Sequence, residues 1–308
     1  MENICVTVAS GELSIGVLAN IFIGVVNYLN WLKTRKVSTL DFILTGLAIS
    51  RIILLWTIAS MIILLGHYFK NNLEIRLRFW KLLWYLCSLS SAWFDASLNI
   101  FLFLKIASFS HPVFLWLKWR VDKLVFRMLM GCLIISLLIL LPLVEKSLPI
   151  FFYKRNKANI TEMIQIDSIN LLLSTVFFYM GNLLPFTLCL ISCFLLVLSL
   201  WRHTQKMQLN FRDSRDPSTQ AHIKAMKFTI SFLFLFVLYH VAIIIAVLSF
   251  ILFDSNLIIM FAMITMSIYP LVHSIILILE NSKLRQALLK AFWKLRCYLR
   301  NSGRLLGT

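Results

Sequence analysis

With 308 residues, 60% hydrophobic and only 14% charged, the chain is too apolar for a water-soluble domain. Its formal charge of +17 has no soluble basic fold around it, which excludes a nucleic-acid-binding protein and points to topology and anionic-lipid contact instead. The apolar residues gather into seven stretches able to cross a hydrocarbon core, which takes about 20 helical residues, whereas barrel strands would be short and alternating.

The expected fold is therefore an all-α integral membrane protein, a seven-transmembrane helix bundle over residues 1–279 with a tail over 280–308. The first span is placed near 7–32; Met1 to Gly11 carries no basic n-region, so this helix is expected to act as the insertion signal. The second, near 40–66, holds Arg51 at mid-depth, about 16 Å of helix from the preceding basic loop. An arginine there costs about 2.5–3.5 kcal/mol on insertion scales and must face partners inside the bundle. Asn20 of the first span, Asp95 of the third, and His273 and Ser274 of the seventh are the candidates. The third span, near 79–106, carries Asp95, expected to be the only deep carboxylate and so to pair with Arg51. It runs out at Lys105 into a basic, aromatic segment with His111, Lys118 and Arg120, in which Pro112 is expected to stop helix continuation.

The fourth span is placed near 126–145 and the fifth near 170–200, where Pro185 is expected to break the helix. His203 and Lys206 follow it, then His222 and Lys227 lead into the sixth span near 227–252. The seventh, near 256–279, contains Tyr269-Pro270-Leu271-Val272-His273-Ser274, and its proline allows a kink. Beyond it Leu284, Ala287, Leu288, Ala291, Phe292 and Leu295 fall on one helical face among lysines and arginines, the pattern of an amphipathic helix lying on a membrane surface. Cys297 at its end is a candidate for palmitoylation.

Orientation follows from the basic residues. With the N-terminus outside, the loops and tail assigned to the cytoplasm hold most of the Lys and Arg. The single Asn-x-Ser/Thr sequon, Asn159-Ile160-Thr161, then falls in an outside loop and is a candidate glycosylation site. That loop, 145–169, has no cysteine to tie it to the third span, the tie that most rhodopsin-like receptors carry.

Several blocks in order resemble the bitter taste receptor family (taste receptor type 2) of G-protein-coupled receptors. Leu47-Ala48-Ile49-Ser50-Arg51 is similar to its LAxSR block. Leu104-Lys105-Ile106-Ala107 through Phe114-Leu115-Trp116-Leu117-Lys118 is similar to its LKIAxFSxPxFLWLK block. Ser199-Leu200-Trp201-Arg202-His203, Asp216-Pro217-Ser218-Thr219 with Ala225-Met226-Lys227, and Pro270 with His273-Ser274 also match. Neither Asp-Arg-Tyr after the third span nor NPxxY in the seventh is present, which separates the chain from ordinary rhodopsin-like receptors. Departures are Phe101-Leu102 where the family often has Phe-Tyr, Asp95 where small residues are common, and Ser88 where asparagine is frequent.

The resemblance implies a receptor for small bitter compounds signalling through a gustducin-like, taste-type heterotrimeric G protein. It implies no enzymatic activity, cofactor or metal. An apolar outer cavity for such ligands would draw on Trp84, Ser88, Asn182, Tyr239, His240, Met263 and Met266. The G-protein face would comprise Lys105, His111, Lys118, Arg120, His203, Lys206, His222 and Lys227. The nearest alternative is a vomeronasal pheromone-type receptor. A transporter or channel fits poorly, because no internal repeat is visible.

Overall fold

The computed structural model describes residues 2–66, 73–107, 111–131, 134, 138, 160–210, 217–252 and 256–305. Asn159 and most of the expected fourth span lie outside the described residues, as do the side chains of His203, Lys206 and His222. The described residues are almost entirely helical: α1 Glu2–Thr34, α2 Thr39–Gly66, α3 Leu73–Ile106, α4 Pro112–Trp119, α5 over 121–131, α6 Ile160–Asn210, α7 Pro217–Leu252, α8 Asn256–Glu280 and α9 Ser282–Leu305. Six of them (α1, α2, α3, α6, α7 and α8) are long and apolar enough to cross a membrane.

These six close a ring. α1 packs on α2, α2 on α3, α3 on α6, α6 on α7, α7 on α8, and α8 returns to α1 and α2. In a membrane the outer surface stays apolar, and Trp56, Phe194 and Phe234 are accordingly exposed on it. Two large apolar clusters fill most of the interior, beside a small one around Leu89 and Trp93. One contains Leu54 and Ile58 of α2, Trp84 and Tyr85 of α3, Phe232 and Tyr239 of α7, and Met266 and Tyr269 of α8. The other contains Ile23 of α1, Leu44 and Leu47 of α2, Leu98 and Leu104 of α3, Val121 and Val125 of α5, and Leu277 of α8. Between them, at matching depth on four helices, lie Asn20, Arg51, Asp95, His273 and Ser274, all buried.

Two local expectations are corrected. Pro112 does not end helical structure but begins it: α4 starts there, with His111 as N-cap and its Nδ1 accepting from Val113 N at 3.3 Å. Proline suits a first turn, where its missing N–H has no intrahelical partner in any case. Nor does Pro185 break its helix, because α6 runs unbroken from Ile160 to Asn210. Beside it Thr187 Oγ1 donates to Leu184 O at 2.9 Å, local side-chain bonding of the kind that lets membrane helices carry proline. Several helices also extend past their apolar spans. α7 begins at Pro217, well before the hydrophobic run, since Gln, Ala, Lys and Met are good helix formers whatever their hydropathy.

α2 and α3 approach closely at Gly46, where a Cβ would run into the Phe94 ring. Gly46→Val should therefore destabilise the detergent-solubilised protein by about 1–3 kcal/mol. At Gly24 nothing lies within 4 Å of an added Cβ, and Gly24→Ala should stay within about 0.5 kcal/mol of the parent. Thermal unfolding of the two variants separates these outcomes.

Candidate functional site

Arg51 is fully buried, so its donors can be met only inside the bundle; Nη1 and Nη2 find partners there, whereas Nε has none among the described residues. Nη2 donates to Asp95 Oδ1 at 2.8 Å and also reaches His273 Nδ1. Nη1 donates to Ser274 Oγ at 3.2 Å. His273 accepts at Nδ1, which places its proton on Nε2; that atom is buried without a hydrogen-bond partner among the described residues, beside the rings of Phe228 and Phe232. Ser274 Oγ lies 2.9 Å from Asn20 Oδ1 and 2.7 Å from Pro270 O, so the proline-containing turn and α1 share one hydroxyl. Asn20 Nδ2 is spent on its own helix, donating to Gly16 O at 2.8 Å. One guanidinium thus joins α2 to α3 and α8, and through Ser274 to α1.

The carboxylate has a second partner. Tyr269 OH donates to Asp95 Oδ2, and the guanidinium carbon of Arg51 stands 5.5 Å from the Tyr269 ring centroid. Tyr269 in turn belongs to an aromatic layer with Phe232, Phe236 and Tyr239, the Tyr239 and Tyr269 centroids lying 5.3 Å apart. Tyr239 OH and Ser88 Oγ are 2.6 Å apart, and Trp84 stacks on Phe178 at 5.1 Å. His240 sits edge-on to Phe236 at 4.5 Å, with Nδ1 bonded to Phe236 O at 2.9 Å. Met263 and Met266 are buried in the same cluster. Asn182, though buried, turns its amide to Phe178 O at 2.9 Å. A continuous series of contacts therefore runs from Ser88 through Tyr239 and Tyr269 to Asp95 and Arg51.

The sequence profile of the Taste receptor protein (TAS2R) family matches residues 1–296. Taste receptor type 2 member 7 of Papio hamadryas is 42% identical over 298 residues, which cover 95% of this chain and 93% of that protein. Taste receptor type 2 member 8 of Homo sapiens is 41% identical over 297 residues, covering 94% of this chain and 95% of that protein. The chain belongs to the taste receptor type 2 family. It is a multi-pass membrane protein of a receptor family rather than an enzyme family.

In this taste receptor type 2 chain the residues at the opposite end of the bundle are spread over several local roles. Lys118 Nζ donates to Ala107 O at 3.2 Å, closing the end of α3 against α4. Lys105 lies 5.5 Å from the Phe101 ring, and Arg120 stacks 4.9 Å from the Trp116 ring. Lys227 is exposed on α7. Sequence reasoning passed over two further polar contacts. Lys283 of α9 donates to Asp41 Oδ1 at 2.7 Å and to Asn27 Oδ1 at 3.0 Å, clamping the tail helix to α1 and α2. Glu12, a shallower carboxylate of α1 that is only partly buried, accepts from Ser267 across the α1–α8 contact. Tyr269 was also not assigned as a partner of Asp95; its i, i+4 spacing to His273 was the available signal.

Removing one member of a buried ion pair strands the other, at a cost of about 3–5 kcal/mol. Asp95→Asn and Arg51→Gln should each sharply reduce surface expression, and the double variant should recover part of the loss. Flow cytometry on intact cells reads this directly; a double variant as poor as the sum of the singles would rule out the pairing.

Proposed function

We propose that this chain is a G-protein-coupled chemosensory receptor for small, mostly apolar bitter compounds, acting through a taste-type, gustducin-like heterotrimeric G protein. The single observation that carries this reading is the continuous route from Ser88 and Tyr239, through Tyr269, to the interior Asp95–Arg51 pair. It places the proposed ligand layer and the charged hub in direct contact, as a receptor needs if a ligand is to bias the packing of its helices.

In this reading the N-terminus is outside, and the apolar stretch near 126–145 supplies the remaining span of a seven-helix bundle. α9 lies on the cytoplasmic leaflet, and Asn159 is glycosylated in an outside loop. Trp84, Ser88, Asn182, Tyr239, His240, Met263 and Met266 contribute to the ligand site. Buried methionine and aromatic side chains give it an adaptable apolar wall with few polar anchors. Asn20, Arg51, Asp95, Pro270, His273 and Ser274 form the switch. Lys105, His111, Lys118, Arg120, His203, Lys206, His222 and Lys227 border the G-protein cleft, with Arg120 over the Trp116 ring at the α4–α5 corner. An agonist activates only through its differential affinity for the two arrangements, and moving 1:99 to 99:1 takes about 5.5 kcal/mol. Weak, varied ligands supply less, which implies a small resting gap and micromolar-range potency.

Co-expression with a taste-type Gα subunit and a calcium readout across a panel of bitter compounds tests the proposal. Concentration-dependent calcium release that requires the Gα subunit is expected; ion flux persisting without any G protein would instead favour a channel. For an agonist found in that screen, Tyr239→Phe, which removes the hydroxyl facing Ser88, should raise EC50 by about three- to tenfold at unchanged surface level.

A further inference from the structure

At the turn between α4 and α5, Trp116, Leu117, Arg120, Lys123, Leu124 and Arg127 surround a cavity of about 210 Å³. Lys123 and Arg127 stand at i and i+4 on one face of α5, and Arg120 precedes them at the turn that opens the helix. Val121, Val125 and Leu129 are buried and fix α5 to the apolar cluster shared with α2 and α3. At about 100° per residue these two sets fall on opposite sides of α5, so the cationic face looks away from the bundle.

None of the three cations meets a carboxylate among the described residues. Asp122, the acidic neighbour on the same helix, is exposed and bridges to none of them. Residues 128–144 beyond Arg127 carry no charge, so Arg127 is the last cation before the apolar run. A charged face turned outward at the start of such a run lies at headgroup depth, since at the hydrocarbon centre each charge would be costly. Trp116 and Trp119 are 55% and 87% exposed beside it, as amphipathic rings at a membrane interface are.

We propose that the α4–α5 corner is a binding site for the headgroup of a polyanionic phospholipid, one bearing phosphomonoester groups. Three cations within eight residues, without a carboxylate partner among the described residues, are more charge than a single phosphodiester can balance, whereas each phosphomonoester carries about −1.5 to −2. Arg120 and Arg127 offer planar forks that take phosphate oxygens two at a time, and Lys123 adds a point charge between them. Leu117, Leu124 and the Trp116 ring give the start of the acyl region an apolar seat. The inference rests on the membrane placement proposed above, and on neither the ligand nor the G protein.

The test uses the purified full chain in phosphatidylcholine nanodiscs doped on both faces with phosphatidylinositol bisphosphate, with retained lipid read by native mass spectrometry. Because both faces carry the lipid, neither orientation nor signalling affects the result. Arg120→Gln, Lys123→Gln and Arg127→Gln together should lower retention more than about tenfold, and the single variants Lys123→Gln and Arg127→Gln, which serve if the triple folds poorly, by about fivefold each. Lys290→Gln with Lys294→Gln, on the exposed face of α9, should leave retention within about twofold of the parent. Phosphatidylserine at matched total charge should be retained less. The proposal is overturned if the α5 variants keep the lipid, if phosphatidylserine binds equally well, or if soluble inositol phosphate or inorganic phosphate binds as tightly as the lipid.

Discussion

A guanidinium buried halfway along a membrane helix constrains every helix that touches it. Arg51 is fully buried at mid-helix, so the bundle must bring acceptors to it. Asp95, His273 and Ser274 answer from α3 and α8, and Asn20 holds Ser274 from α1. Each helix in this set is fixed in rotation as well as depth, because a turn of the helix would carry its acceptor away from the guanidinium. The two apolar clusters above and below are then packed around a polar layer whose geometry is already set.

The same layer is where the bundle is most easily biased. Packed apolar side chains tolerate small shifts poorly, but a hydrogen-bonded group can exchange one partner for another at little net cost. Asp95 is shared between Arg51 and Tyr269, and the histidine partner of Arg51 leaves Nε2 unmatched against the α7 rings. A displacement of α7 or α8 that moves Tyr269 therefore changes what Asp95 holds. In a receptor of the taste type 2 family, that is a physical means for the aromatic layer to alter helix contacts deeper in the protein. Lys105 lies over the Phe101 ring and takes no part in the interior network.

The polar hub was legible in the sequence because an intramembrane charge must be satisfied. Arg51, Asp95, Asn20, His273 and Ser274 could be grouped from depth alone. Tyr269 was not, since an aromatic residue at helical spacing in an apolar span reads as packing and nothing in the pattern shows where its hydroxyl ends. Glu12 was passed over because it lies near the N-terminal end of a weakly patterned helix. α4 was hidden for a different reason: proline marks both the end of one helix and the first turn of the next, and only the His111 cap distinguishes them. The helix limits of α6 and α7 outran the apolar spans because hydropathy reports where a membrane is, while helix propensity decides where a helix stops.

The central claim is that the aromatic layer acts on the Asp95–Arg51 pair through the Tyr269 hydroxyl. Tyr269→Phe keeps the ring and its packing and removes only that link. Calcium responses of this variant, measured at matched surface level against an agonist of the parent receptor, test the claim most directly. The account predicts near-normal expression with the evoked response lost or its EC50 raised at least about tenfold; a response indistinguishable from that of the parent would contradict it.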